Sequence, residues 1–176
     1  MADERSALLA SLVRDVPDFP KPGILFKDIT PLLAEPRAFA SIIDGFVEQV
    51  AGQRVDAVVG IEARGFIFGA ALAARLSVAF VPVRKPGKLP SAVDRVAYAL
   101  EYGEGQLEMH KDSLRPGQRA VIVDDLLATG GTAAASAKLV AMQGAEVLRY
   151  LFVIELGFLE GRARLAPTEV TALLRY

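Results

Sequence analysis

Apolar runs alternating with helical stretches predict an α/β protein: a parallel sheet flanked by helices. Three observations carry that expectation. The runs Val55–Ile61, Val78–Val83, Arg119–Asp124 and Val147–Ile154 are apolar almost throughout, as strands covered on both faces are. Helically spaced or Ala-rich segments separate them at 37–51, 65–75 and 132–143. The chain has 176 residues, a length that favours one domain, 1–176, with a sizeable core.

Taken in order, residues 4–14 read as an amphipathic helix, with Ala7, Leu8, Leu12 and Val13 near helical spacing. Pro17, Pro20, Pro22, Gly23 and Pro31 exclude a regular element over 17–31, so that segment is expected as a cover strand or loop. With the helix before it, it makes an N-terminal hood of about residues 1–33. Helical spacing returns through Phe39, Ile42, Ile43, Phe46, Val47 and Val50. Gly144 suits the cap of the helix that ends at Gln143. Residues 90–112 break the alternation. Tyr98, Leu100 and Tyr102 alternate with Ala99 and Glu101, and Gly103-Glu104-Gly105 supplies a turn. A flexible hairpin lid over about 90–112 is expected. The stretch after Leu165 carries no readable pattern.

Lys plus Arg is 20 and Asp plus Glu is 21, a net charge of -1, which argues against nucleic-acid binding. With no cysteine, a disulfide framework and any Cys-based metal site are excluded. The opening Met1-Ala2-Asp3-Glu4-Arg5 is acidic, so no secretory leader is expected. Arg64, Arg75 and Arg84 interrupt the most apolar region, so no membrane span is expected and a cytoplasmic location is. The 52% apolar content fits either a well-filled core or a buried subunit interface.

The most informative stretch is Val121-Ile122-Val123-Asp124-Asp125-Leu126-Leu127-Ala128-Thr129-Gly130-Gly131-Thr132-Ala133. Its glycines and threonines suit a backbone that wraps a phosphate at a helix N-terminus. Its aspartates would repel a phosphate; they suit hydroxyl donors, or a divalent cation, beside it. A phosphate with hydroxyls next to it describes ribose 5-phosphate. Rival phosphate motifs are absent: no lysine follows Gly130-Gly131, and the helix opens Thr132-Ala133-Ala134 rather than with a third glycine. Two other expected strand ends carry polar residues, Glu62-Ala63-Arg64-Gly65 and Arg84-Lys85-Pro86-Gly87-Lys88. Ligands of parallel sheets sit beyond such ends. The single histidine, His110, has no second ligand nearby and reads as structural or solvated.

Val121–Ala133 closely resembles the ribose-phosphate-binding signature of the type I phosphoribosyltransferases, in the form found in adenine-using members. Four further segments match: Phe19–Thr30, Gly60–Phe66, Arg84–Pro90 and Leu100–Gly103, so the likeness spans about residues 16–160. It implies that adenine and 5-phosphoribosyl 1-pyrophosphate (PRPP) give AMP and pyrophosphate, with Mg2+ as cofactor held through substrate and water rather than by a protein ligand set. It also implies a homodimer.

For the site, the resemblance implies that Ala128, Thr129, Gly130, Gly131 and Thr132 hold the 5-phosphate while Asp124 and Asp125 accept from the ribose hydroxyls. Ala128 stands where hypoxanthine-guanine enzymes place an aspartate, which argues against that branch. The backbone of Ala63, with Arg64, Arg84, Lys85 and Lys88, would bind pyrophosphate, in a loop that often holds a non-proline cis peptide. The blander readings are an Arg64–Glu62 pair and a solvated strand end. Glu101 would handle the purine proton, and Tyr102 would touch pyrophosphate or the lid, with solvation and plain packing as the alternatives. Phe26 and Leu126 would stack on the base, and the backbone of Leu25 and Lys27 would read its edge; the alternative is that Leu25 and Phe26 are core. A different base such as xanthine, and a non-catalytic PRPP-sensing regulator, remain open.

Overall fold

Helix α1 (Ala2–Leu12) leads into a two-stranded antiparallel ribbon, β1 (Arg14–Pro17) with β2 (Leu25–Asp28), in the register Arg14↔Asp28 to Pro17↔Leu25. The computed structural model describes residues 2–99 and 104–176. The ribbon departs from the expectation that 17–31 is irregular. Pro20, Pro22 and Gly23 are confined to the turn, which leaves a proline-free strand behind it. In α1 Leu9 is fully buried, whereas Leu8 is exposed.

Helices α2 (Thr30–Ala34) and α3 (Pro36–Gln49) follow. The Glu35 side chain accepts from the Arg37 amide at 3.2 Å and Pro36 opens α3, two ordinary helix-start devices. Next come β3 (Ala57–Ile61), α4 (Gly65–Leu76), β4 (Ala79–Val83) and the hairpin β5 (Val93–Ala99) with β6 (Glu104–His110). The chain closes with β7 (Arg119–Leu127), α5 (Gly131–Met142), β8 (Glu146–Glu155), 3-10 turns at Gly157–Leu159 and Gly161–Leu165, and β9 (Glu169–Arg175). Strand β9 fills the stretch in which the sequence showed no pattern.

The central sheet is parallel, ordered β4-β3-β7-β8-β9. Successive residues of each strand feed opposite faces. Val58, Val121, Val123, Leu151 and Val153 pack with Ile42 and Phe46 of α3 and Phe68 and Leu72 of α4. Val59, Val81, Ile122 and Phe152 pack with Leu139 and Val140 of α5 and with Leu107 and Met109 of β6. The base of the hairpin is therefore part of the core. It is also stitched to the strand end beside it. Arg84 and Glu108 exchange both backbone hydrogen bonds, at 2.9 and 2.8 Å. No helix among the described residues is long and apolar enough to cross a membrane.

Two details of this sheet create a crevice. The chain goes from β3 outward to β4, then returns to the other side of β3 as β7, so strand order reverses between β3 and β7. Such reversal points are where ligands bind in open α/β sheets. Strand β7 also runs on to Leu127, beyond the expected Asp124. Its register with β3 ends at Gly60↔Val123, but pairing with β8 continues to Leu127↔Glu155. From Asp124 onward β7 is therefore paired on one side only among the described residues.

Phe46 is fully buried in the layer that joins α3 to the sheet. Phe46→Ala is expected to cost about 3–5 kcal/mol, because little around the site can collapse into the space. Urea unfolding should show a lower midpoint with an unchanged slope. A midpoint equal to that of the parent would contradict this packing.

Candidate active site at the carboxyl edge of the sheet

Helix α4 starts directly against the open side of β7, and the approach requires glycine. A methyl group on Gly65 would stand 2.6 Å from the Val123 carbonyl oxygen and 2.9 Å from Asp124 Oδ1. This contact brings the loop Glu62-Ala63-Arg64 beside the two aspartates. The Glu62–Ala63 peptide is cis. Arg64 does not pair with Glu62. Its Nε lies 2.8 Å from Asp125 Oδ2. That oxygen is buried and has no directed hydrogen bond, so the contact is one of charge without alignment.

Glu62 instead organises the loop after β4. It accepts from Arg84 at 3.2 and 3.3 Å and from the Lys85 amide at 3.0 Å, while Arg84 Nη1 donates to the Lys88 carbonyl at 2.9 Å. Burial works to raise the Glu62 pKa, but Arg84 and the Lys85 amide outweigh it and hold the carboxyl below its usual range. Glu108, buried in β6, accepts from the Gly87 amide at 2.9 Å and pairs with Arg95. Lys85 and Lys88 are exposed. Arg84 is thus occupied with holding the loop, and the two lysines are left facing solvent. From sequence, Glu62 stood out as part of the polar strand end 62–65 and as a partner for Arg64, not as the organiser of the loop after β4, and Glu108 was missed. Its position in a polar strand gave no signal.

The two carboxylates differ in their surroundings. Asp124 Oδ1 accepts from the Asp125 amide at 2.9 Å. Burial, then the neighbouring carboxylate, pushes the Asp124 pKa well above the ordinary range. Burial raises Asp125 as well, against the pull of Arg64. After them the chain turns through Ala128 and Thr129 into α5. Gly130 takes the N-cap position at φ +78°, a left-handed conformation that glycine adopts without steric cost. A cavity of about 80 Å³ lies here, lined by Asp124 and by Leu126 through Ala133, with Phe152 behind. The first-turn amides of a helix lack partners within it, so this concavity favours an anion.

A second cavity, about 540 Å³, opens under the ribbon and is mostly apolar. Phe19, Phe26, Leu33, Ile67 and Arg64 are among its lining. Phe19 meets Phe26 edge-on at 5.1 Å, and the Arg64 guanidinium stands 5.4 Å from the Phe26 ring centre. Arg64 therefore stands between Asp125 and the Phe26 ring of the ribbon. Leu126 lines the smaller cavity and Phe26 the larger one. Leu25 is half-exposed rather than core. The Lys27 amine sits 2.6 Å from Asp15 and over the Tyr176 ring at 3.9 Å. Phe19 and Ile67 were not singled out from sequence. His110 lends its carbonyl to the Gln143 side chain at 2.6 Å, and no group of metal-ligating residues occurs among the described residues. Glu101 and Tyr102, with the rest of the Leu100–Gly103 motif, lie outside the described residues.

The sequence profile of the phosphoribosyl transferase domain matches residues 27–168. An adenine phosphoribosyltransferase of Sorangium cellulosum is 66% identical over 158 residues, covering 90% of this chain and 79% of that protein. The crystal structure of the adenine phosphoribosyltransferase from Thermoanaerobacter pseudethanolicus superposes with a TM-score of 0.95 at 50% identity, covering 97% of this chain and 99% of that one. The enzyme of Saccharomyces cerevisiae, solved with adenine and an imino-altritol bisphosphate, superposes with a TM-score of 0.92 at 41% identity, covering 97% and 99%.

The raised Asp124 pKa gives a stability prediction. The proton is held more tightly in the folded state, so the unfolded chain loses it first as pH rises. A penalty on folding then grows above about pH 4, the ordinary aspartate range, until the folded group ionises too. Asp124→Asn removes the charge and keeps an oxygen for the Asp125 amide. The ligand-free variant should melt at a higher Tm than the parent at pH 7, with a smaller gain near pH 4. Calorimetry showing a lower Tm at pH 7 would contradict the assignment.

Proposed function

The chain belongs to the phosphoribosyltransferase family, within it to the adenine phosphoribosyltransferases, and we propose how its own residues carry out that reaction. The reaction joins adenine to the phosphoribosyl group of PRPP, giving AMP and pyrophosphate. The observation that carries the residue assignment is the adjacency of three features: a glycine-rich helix start, a buried carboxylate pair, and an arginine that bridges this pair to an aromatic hood.

The amides of Ala128 to Thr132 hold the 5-phosphate. Asp124 and Asp125 accept from the two ribose hydroxyls, one of which supplies the hydrogen bond that Asp125 Oδ2 lacks. As the anomeric C–O bond to pyrophosphate breaks and the bond to adenine N9 forms, the anomeric carbon becomes oxocarbenium-like, and the two carboxylates stabilise its positive charge. Pyrophosphate gains negative charge in the same step. Arg64, the Ala63 amide, Lys85 and Lys88 bind it more tightly as it does so, which is what lowers the barrier. Arg84 contributes by fixing the loop that carries the lysines.

Adenine occupies the hood against Phe26, with Leu126 on its other side. Strand β2 is paired on one edge only among the described residues. Its other edge offers the backbone of Leu25 and Lys27 for reading the amino and ring-nitrogen groups. Hydrogen bonds of this kind discriminate between bases far better than stacking does. Glu101, which follows β5 in the sequence, takes the proton released from N9.

A divalent cation fits this donor set. The carboxylate pair includes an oxygen without a hydrogen bond, yet no protein-only cage surrounds it among the described residues. Mg2+ would be held by substrate oxygens and water, with Asp124 and Asp125 near enough to favour it by charge, and the ion would offset the charge of the pyrophosphate. The family likeness also supports a homodimer acting in the cytoplasm.

The reading is tested by incubating the protein with PRPP and each of adenine, hypoxanthine, guanine and xanthine. AMP should form from adenine, the other bases should give little nucleotide, and EDTA should stop turnover. Binding of PRPP without any nucleotide product would favour a sensor, and xanthosine monophosphate as the main product would favour the xanthine reading. Asp125→Asn is expected to lower kcat about 10²–10³-fold, the usual loss when one preorganised electrostatic stabiliser is removed. A kcat within twofold of the parent would remove Asp125 from the chemistry.

A further inference from the structure

The turn Ala128–Gly130 rests, backbone against backbone, on the first residue of the second 3-10 segment. A methyl group at position 161 would stand 2.1 Å from the Ala128 carbonyl oxygen and 2.9 Å from the Gly130 amide nitrogen. Conversely, a methyl group on Gly130 would stand 2.5 Å from the Gly161 carbonyl oxygen. Side chains do not tolerate such distances, so the two backbones are as close as backbones can be.

The segment that presents Gly161 is itself held. Arg162 donates to both oxygens of Glu155, Nε at 3.2 Å and Nη2 at 2.5 Å, and to the Val170 carbonyl. Glu155 is buried, with 3% of its area exposed, and Arg162 keeps it ionised by lowering its pKa. Glu155 is also the register partner of Leu127, the residue immediately before the turn, and the Leu156 amide donates to the Leu127 carbonyl at 2.9 Å. The contacts close a ring: Leu127, Glu155, Arg162, Gly161, Ala128.

We propose that Gly161–Leu165, clamped by the Glu155–Arg162 pair, is a buttress that fixes the shape of the anion-binding turn. Gly161 and Arg162 are positioning residues: they set the affinity for the phosphate end of the substrate without touching it. The physical reason is preorganisation. Amides aimed at a phosphate before it arrives need no ordering when it binds, whereas a turn free to relax is ordered at the expense of affinity. This inference rests on the reading that the 128–132 turn takes the 5-phosphate.

The test compares the parent with Gly161→Ala, Arg162→Gln and Arg162→Lys. The readouts are KM for PRPP, KM for adenine, and the Kd of AMP and of adenosine by calorimetry. For Gly161→Ala, KM for PRPP and Kd for AMP should rise between about tenfold and a hundredfold, the scale of a roughly 1 Å misplacement. KM for adenine and Kd for adenosine should stay within about twofold, since no phosphate is involved. Arg162→Gln should follow the same pattern, and Arg162→Lys should recover part of the loss. Should Gly161→Ala fail to fold, Arg162→Gln decides by the same split. Unchanged AMP affinity in folded variants, or equal losses toward AMP and adenosine, would overturn the buttress. A parent protein that binds AMP no tighter than adenosine would overturn the phosphate turn itself.

Discussion

Two adjacent carboxylates at the end of a buried strand are expensive to keep, and the surrounding architecture answers to that cost. Carboxylates taken out of water destabilise a fold unless they are paired or hydrogen-bonded. Here one guanidinium, that of Arg64, serves two acids and is not aligned for a hydrogen bond with the one it touches. A buried carboxylate oxygen left without a hydrogen bond is a group that a hydroxyl donor or a cation would satisfy. Gly65 follows from the same requirement, because only a residue without a side chain lets α4 bring Arg64 this close.

Much of this was legible in the sequence because its signals are local. Asp124 to Thr132 is a contiguous run in which residue type, strand end and helix start coincide. The continuous apolar runs around Val58, Val81, Ile122 and Leu151 announce strands covered on both faces, and the sheet is so covered. The hairpin was readable from the alternation around Tyr98, but the turn expected at Gly103-Glu104-Gly105 was misplaced: Glu104 and Gly105 belong to β6 and pair with Ala99 and Tyr98, because strand pairing runs from Val93↔His110 to Ala99↔Glu104.

What escaped the sequence is carried by contacts between distant positions. Strand β9 is specified by pairing with β8, and its residues mix buried with part-exposed positions, so no periodicity marks it. Arg64 follows Glu62 closely in the chain, but the turn at Ala63 sends the two side chains to different partners, Asp125 and Arg84. The role of Gly161 depends on Ala128 and Gly130, more than thirty residues away by number, and a lone glycine in an irregular stretch looks like any other. The proline-rich turn of the β1–β2 ribbon was recognisable, but the cavity beneath the ribbon also depends on Ile67 from α4, which reads as an ordinary helix residue.

The stitching of Arg84 to Glu108 has a mechanical corollary. Two backbone bonds and the Glu108 side chain, through Gly87, join the root of the β5–β6 ribbon to the loop bearing Lys85 and Lys88. The ribbon is rooted at this end, where Leu107 and Met109 are also buried in the core. The base of the ribbon and the loop that bears Lys85 and Lys88 are thus held in one hydrogen-bonded frame, and a displacement of either is transmitted to the other.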